Sequence, residues 1–203
     1  MTGSKKAVIF ILFICISFNL FADQIFIGER FNCLDRMDEN IGFYLLYDTD
    51  GSDLKFSSTD NSSGSYYSFY FPLDYADALR KSIEKYEAWK VIAKENSAFV
   101  NKEIPNSSYS VEVYWHSSIG STRSSQTSVY LEALINPESG SLSLVIKGAI
   151  YNSRYLGDLY FTFIDEDEIQ RFYNVLSPDN INSKAMEHYE YKQRMQTMDA
   201  LFQ

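Results

Sequence analysis

The stretch Thr127-Ser-Val-Tyr-Leu-Glu-Ala-Leu-Ile135 runs through Asn136-Pro-Glu-Ser-Gly140 into Leu142-Ser-Leu-Val-Ile-Lys-Gly-Ala-Ile150. Both flanks alternate apolar and polar residues, and the link is made of turn formers. Alternation with a short link predicts two antiparallel strands with one buried face. Val129, Leu131, Ala133 and Ile135 point one way, as do Leu142, Leu144 and Ile146. The pattern extends to both sides. Tyr109 to His116 carries Val111, Val113 and Trp115 in phase, and Tyr155 to Phe163 carries Leu159, Phe161 and Phe163. Together these make a four-stranded antiparallel meander. The Ser-rich segment Ser117 to Gln126 reads as a long loop inside it.

Three shorter strands are expected upstream, at Ile41 to Tyr47, Asp53 to Ser57 and Tyr66 to Phe71. Asp50-Gly51 is a tight-hairpin signal between the first two, because both residues tolerate positive φ. The polar run Ser57 to Ser65 reads as a flexible loop. A helix over 74–95 then separates the two strand sets. Asp74 is placed to cap it, Asp77 favours the positive end of the dipole, and Leu79, Ile83, Tyr86 and Ala93 recur at helical spacing, widened by Trp89 and Ile92. After the meander, Asp165 with Glu168 opens a helix that Pro178 breaks. A last helix over 183–202 carries Tyr191, Met195, Met198 and Phe202, a thin stripe that suits loose docking, fraying or pairing with another chain. The fold class expected is α+β, in a single domain over 23–203. Its element order resembles small periplasmic α+β domains in general, a likeness of architecture that carries no function.

The beginning of the chain reads as an address. Lys5 and Lys6 precede an unbroken apolar run from Ala7 to Ile16, and Ala22 precedes the first acid, Asp23. A basic start, a short apolar centre and a small residue at its end describe a secretory signal peptide over 1–22. The run is shorter than a bilayer span requires, so membrane contact is expected only through this segment. Cys15 lies three residues after Leu12, but bulky Ile14 disfavours a lipid anchor there. The expected location is the periplasm or the exterior. Processing would remove two of the 18 basic residues and none of the 27 acidic ones, taking the net charge from −9 to −11. That acidity argues against nucleic acid and anionic lipid as partners. Cys33 alone would remain, so no internal disulfide can form. Asn61-Ser-Ser63 and Asn106-Ser-Ser108 are sequons, relevant only in a host that glycosylates its exports.

No catalytic constellation emerges. The chain has two histidines, His116 at a strand end and His188 on the last helix, and no Ser sits in a nucleophile-elbow motif. Asp48, Asp50 and Asp53 offer oxygen ligands for a hard cation, but Gly51 comes too early for an EF-hand and Thr59 stands where its terminal Glu belongs. The hairpin turn explains the same residues better. No cysteine–histidine cluster suggests zinc, no Gly-rich loop suggests a nucleotide, and no cofactor is implied.

The meander's polar side is more informative, because 16 Tyr and 15 Phe must be distributed between core and surface. Tyr114, His116, Tyr130, Glu132 and Tyr160 fall on that side and form the candidate contact set. Tyrosine is amphipathic and fairly rigid, and suits recognition of a protein or a cell-envelope component. The competing explanations are β-propensity and a helix covering this face. Two alternatives accompany this reading: a carrier of a small apolar ligand held between the sheet and the 74–95 helix, lined by Trp89 and Trp115, and a hydrolase using Glu112, Glu132 and Asp158.

Overall fold

The computed structural model describes residues 24–28, 30–35, 38–48, 53–59, 66–116, 122–152 and 155–201. The expected signal segment with Cys15, Asp50 of the acidic turn, and the sequon at Asn61 lie outside them. Ten strands are described: β1 (Gln24–Phe26), β2 (Phe31–Leu34), β3 (Asn40–Asp48), β4 (Asp53–Thr59), β5 (Tyr66–Pro72), β6 (Val100–Glu103), β7 (Tyr109–His116), β8 (Thr122–Asn136), β9 (Ser141–Asn152) and β10 (Tyr155–Phe163). Helix α1 (Tyr75–Asn96) separates β5 from β6, and α2 (Glu166–Val175) and α3 (Pro178–Leu201) follow β10. Every described strand pairing is antiparallel. The α+β class and the meander expected from the alternation are both present.

The two strand sets are one sheet. β5 pairs with β7, joining the early hairpins to the meander, and β10 meets β2 at Thr162 and Leu34. Because β4 also pairs with β3 along seven residues, the order closes into a ring. β1 and β2 pair successively along one edge of β3, and β6 and β7 along one edge of β8. Closure leaves few unpaired strand edges.

The alternating residues form the inner face. Phe31, Phe43, Phe56, Leu131, Ile146 and Phe161 are all nearly inaccessible there, in one core cluster with Leu79, Ile83 and Tyr86 of α1 and Phe172 of α2. The aromatic density has a geometric purpose: Phe43 stacks on Phe56 at 4.5 Å, Phe56 on Phe69 at 4.8 Å, and Phe163 on Phe172 at 5.3 Å. Flat rings fill a curved interior with few voids, and each contributes roughly 2–3 kcal/mol by burial.

Several local expectations are corrected. Asp74 makes no capping bond from its side chain and has helical dihedrals (φ −65°, ψ −22°), so α1 begins without that cap. Ile92 is exposed, at the edge of the stripe. Thr122 to Gln126 belong to a strand and not to the expected loop, whose residues 117–121 lie outside the described residues; Ser124 and Gln126 face β7, where Gln126 Nε2 donates to Ser110 Oγ at 2.9 Å. Likewise β4 continues to Thr59, past the expected loop start at Ser57. α3 starts at Pro178, five residues before the expected Ser183. Proline ends α2, yet its fixed φ suits the first position of the next helix, where Ser177 Oγ accepts from Asn180 N at 3.2 Å. The strands β1, β2 and β6 are too short to leave a periodic signal. The turn at Asn136 forms as expected: Asn136 Oδ1 accepts from Glu138 N and Ser139 N, and Gly140 takes φ +73°.

Candidate functional site: the outer sheet face

Both α1 and α2 pack on the inner face, and among the described residues no helix packs on the outer face of β7 to β10. Tyr114, His116, Tyr130, Glu132 and Tyr160 all lie there and all are half-buried rather than sequestered. They do not form one patch. Register puts Tyr114 opposite Ser124 but Tyr130 opposite Lys147, six residues further along β8. At about 3.4 Å per residue that is roughly 20 Å.

The first cluster centres on Tyr114. Its hydroxyl donates to Glu112 Oε2 at 2.8 Å, and its ring meets Tyr70 edge to face at 6.2 Å. Lys55 Nζ stands 5.5 Å above the Tyr70 ring. Hydrogen bonds from Ser124 and then Tyr114 hold the Glu112 carboxyl below its ordinary value. His116 sits at the edge, with Nδ1 3.0 Å from Thr122 Oγ1 and Nε2 3.4 Å from Ser68 Oγ. Burial, and then the charge of Lys55, lower its pKa. The Ser68–His116 contact is long, and the third partner is a hydroxyl where a nucleophilic triad places a carboxylate.

The second cluster is a row across three strands. Tyr130 of β8, Lys147 of β9 and Tyr160 of β10 stand side by side in register. Lys147 Nζ lies 3.3 Å from Glu132 Oε2 and 5.8 Å from the centre of the Tyr160 ring. Lys147 and Tyr160 also form one wall of a groove of about 440 Å³. Leu34, Leu134 and Ile164 supply its apolar surface, while Ser143 and Thr162 place nearly buried side chains along it. Beside the groove Val145, on the same outward-facing phase as Lys147, is inaccessible to water. This part of the outer face is therefore a built concavity. The sequence reading missed it. The available signal was Leu134 and Val145, apolar residues out of phase with the buried alternation.

The alternative sites are less well formed. Asp48 and Asp53 are the closing pair of the β3–β4 hairpin, with Asp50 outside the described residues. Among the described residues no group of three or more His, Cys, Asp or Glu is placed to hold a metal ion. Glu112 is exposed, Glu132 is committed to Lys147, and the side chain of Asp158 lies outside the description, so the carboxylates suggested for hydrolysis form no described pair. The sheet–α1 contact suggested for a carried ligand is filled by Leu79, Ile83 and Tyr86 against the strand residues. Trp89 lies at its margin under Lys102, 4.5 Å from the ring centre, and the Trp115 side chain lies outside the description. A second groove, of about 560 Å³, flanks α1 near Asp77, Lys81 and Asn106 and is lined by charges of both signs. Among the described residues no helix is long and apolar enough to cross a membrane.

No family model, curated protein or solved structure matches this chain.

Proposed function

We propose that the protein is an exported, non-enzymatic binding module that takes a protein or cell-envelope partner on the outer face of its sheet. The observation that carries this reading is the Tyr130–Lys147–Tyr160 row beside the groove of Leu34, Leu134 and Ile164. Half-exposed tyrosines, a recess of mixed polar and apolar lining and a lysine–glutamate pair are the elements of a recognition surface: aromatic anchors, a pocket and a polar rim. The groove volume lies in the range that small ligands or a single anchoring side chain occupy. Export rests on the sequence of residues 1–22, and the acidic balance argues against nucleic acid on electrostatic grounds.

The test pairs recognition with stability. Wild-type protein and a Tyr130→Ala/Tyr160→Ala variant are used to capture partners from envelope extracts of the native host. The reading requires a partner that the wild type retains and the variant loses, at a nearly unchanged thermal midpoint. A large fall in the midpoint would assign these tyrosines to the structure instead. N-terminal sequencing of protein from the same host should begin at or near Asp23, and an intact Met1 in the cytosol would remove the export part.

A further inference from the structure

Helix α3 leaves the body. Its first turn is fastened: Asn180 Nδ2 donates to the carbonyls of Ile27 at 2.8 Å and Val175 at 3.0 Å, and Ile181 is buried. From Tyr189 to Met198 every side chain is exposed. A helix of 24 residues is about 36 Å long, and the exposed stretch makes up most of its second half. Helices draw most of their stability from tertiary packing, and short ones are marginal alone in water. Tyr191, Met195 and Met198 are nevertheless 55%, 40% and 52% exposed, spaced four and three apart on one side. That is the narrow seam of a two-stranded coiled coil.

We propose that this seam pairs with the same seam of a second copy of the chain, antiparallel, so that the protein is a homodimer joined through α3. Charge selects a second copy as the occupant. Glu187 and Arg194 are seven residues apart, so they flank the seam on the same side with opposite signs. In an antiparallel pair that side meets itself turned end for end. Glu187 of each copy then faces Arg194 of the other, about a two-fold axis near Glu190, and the interface is isologous. The same register sets Met195 against the aliphatic stem of Lys184, whose ammonium already reaches Glu187 at 2.8 Å. Lys184, Lys192 and Arg194 offset Glu187 and Glu190, so the segment escapes the chain's overall acidity. The interface is small and belongs to the weak, concentration-dependent class.

Sedimentation velocity on protein processed by its own host, from about 1 to about 200 μM, reads the association. The mass should double across that range. Met195→Glu/Met198→Glu should stay monomeric with an unaltered thermal midpoint. Glu187→Arg should weaken pairing about tenfold or more, and Glu187→Arg/Arg194→Glu should restore it. A monomer at every concentration overturns the proposal, as does a dimer indifferent to the methionine changes or a charge swap that fails to rescue. A monomer that floats with vesicles of anionic phospholipid gives the seam to a membrane surface and overturns it equally.

Discussion

Lys147 Nζ reaches Glu132 Oε2 at 3.3 Å across the β8–β9 ladder, two residues out of direct register, on the outer face of the sheet. The two are unequally exposed: the Glu132 side chain is 13% accessible and Lys147 34%. Removing the lysine strands a largely buried carboxylate, whereas removing the acid frees an amine that reaches water. Lys147→Met should therefore cost roughly 1–2 kcal/mol, moderated by solvent screening, and Glu132→Gln under about 1 kcal/mol. Burial works against the charge of Lys147, but Glu132 outweighs it and holds the ammonium above its ordinary 10.5. The pair's contribution is then complete below that value and lost as the pH climbs through the folded one. Urea unfolding of both variants at neutral and alkaline pH measures this, and equal losses would contradict the asymmetry.

His116 sets a dependence of the opposite sense. Burial, followed by Lys55, lowers its pKa from the ordinary 6.5. Between that value and the lower folded one, the unfolded chain binds more protons than the fold, so stability rises with pH there and falls on acidification. In His116→Gln the drop in thermal midpoint from about pH 7 to about pH 5 should shrink by roughly 1–3 °C. Parallel curves for the two proteins would show that the ring titrates as freely in the fold as in the unfolded chain.

The inner face was legible in the sequence because it obeys one rule. Val129, Leu131, Ala133 and Ile135 alternate, and a period of two admits one folded outcome. α1 was legible for the same reason at a period of 3.6. The ring closure was not, because the Thr162–Leu34 pairing joins residues far apart in sequence and β2 is four residues long. The outer face was half legible. Alternation placed Tyr114, Tyr130 and Tyr160 outward, but their separation into two clusters depends on the register of β8 against both neighbours, which side-chain period does not encode. Thr122 to Gln126 was lost to composition: Ser and Thr signal loops until a partner strand satisfies their backbone, as β7 does.

Cys33 should be chemically silent. It is 2% exposed, its thiol donates to the Ile41 carbonyl at 3.8 Å, and burial, then Glu168, push its pKa up to about 12. The thiolate is the reactive form, so alkylation in the folded state should proceed only as fast as the protein opens. Complete labelling by iodoacetamide should require denaturant, and Cys33→Ala should cost about 1–2 kcal/mol as a small cavity. Stoichiometric labelling of native protein within minutes would contradict this placement.

Phe43 is the residue on which the interior turns. It is inaccessible, and its ring contacts Phe31, Phe56, Phe161, Phe163 and Phe172 at 4.5 to 6.1 Å, so it joins strands from both halves of the ring to α2. Truncation there removes buried area and leaves a cavity whose rigid aromatic walls cannot collapse. Phe43→Ala should cost about 3–5 kcal/mol, a large part of the 5–15 kcal/mol typical of a whole domain. Phe43→Leu should cost less, since it retains part of the volume. Phe26, 59% exposed on β1, is the matched control, and Phe26→Ala should stay within about 0.5 kcal/mol of wild type. Urea midpoints for the three variants order these losses. If Phe43→Ala proved no worse than Phe26→Ala, the ring network would not be what holds the two halves of the sheet around α2.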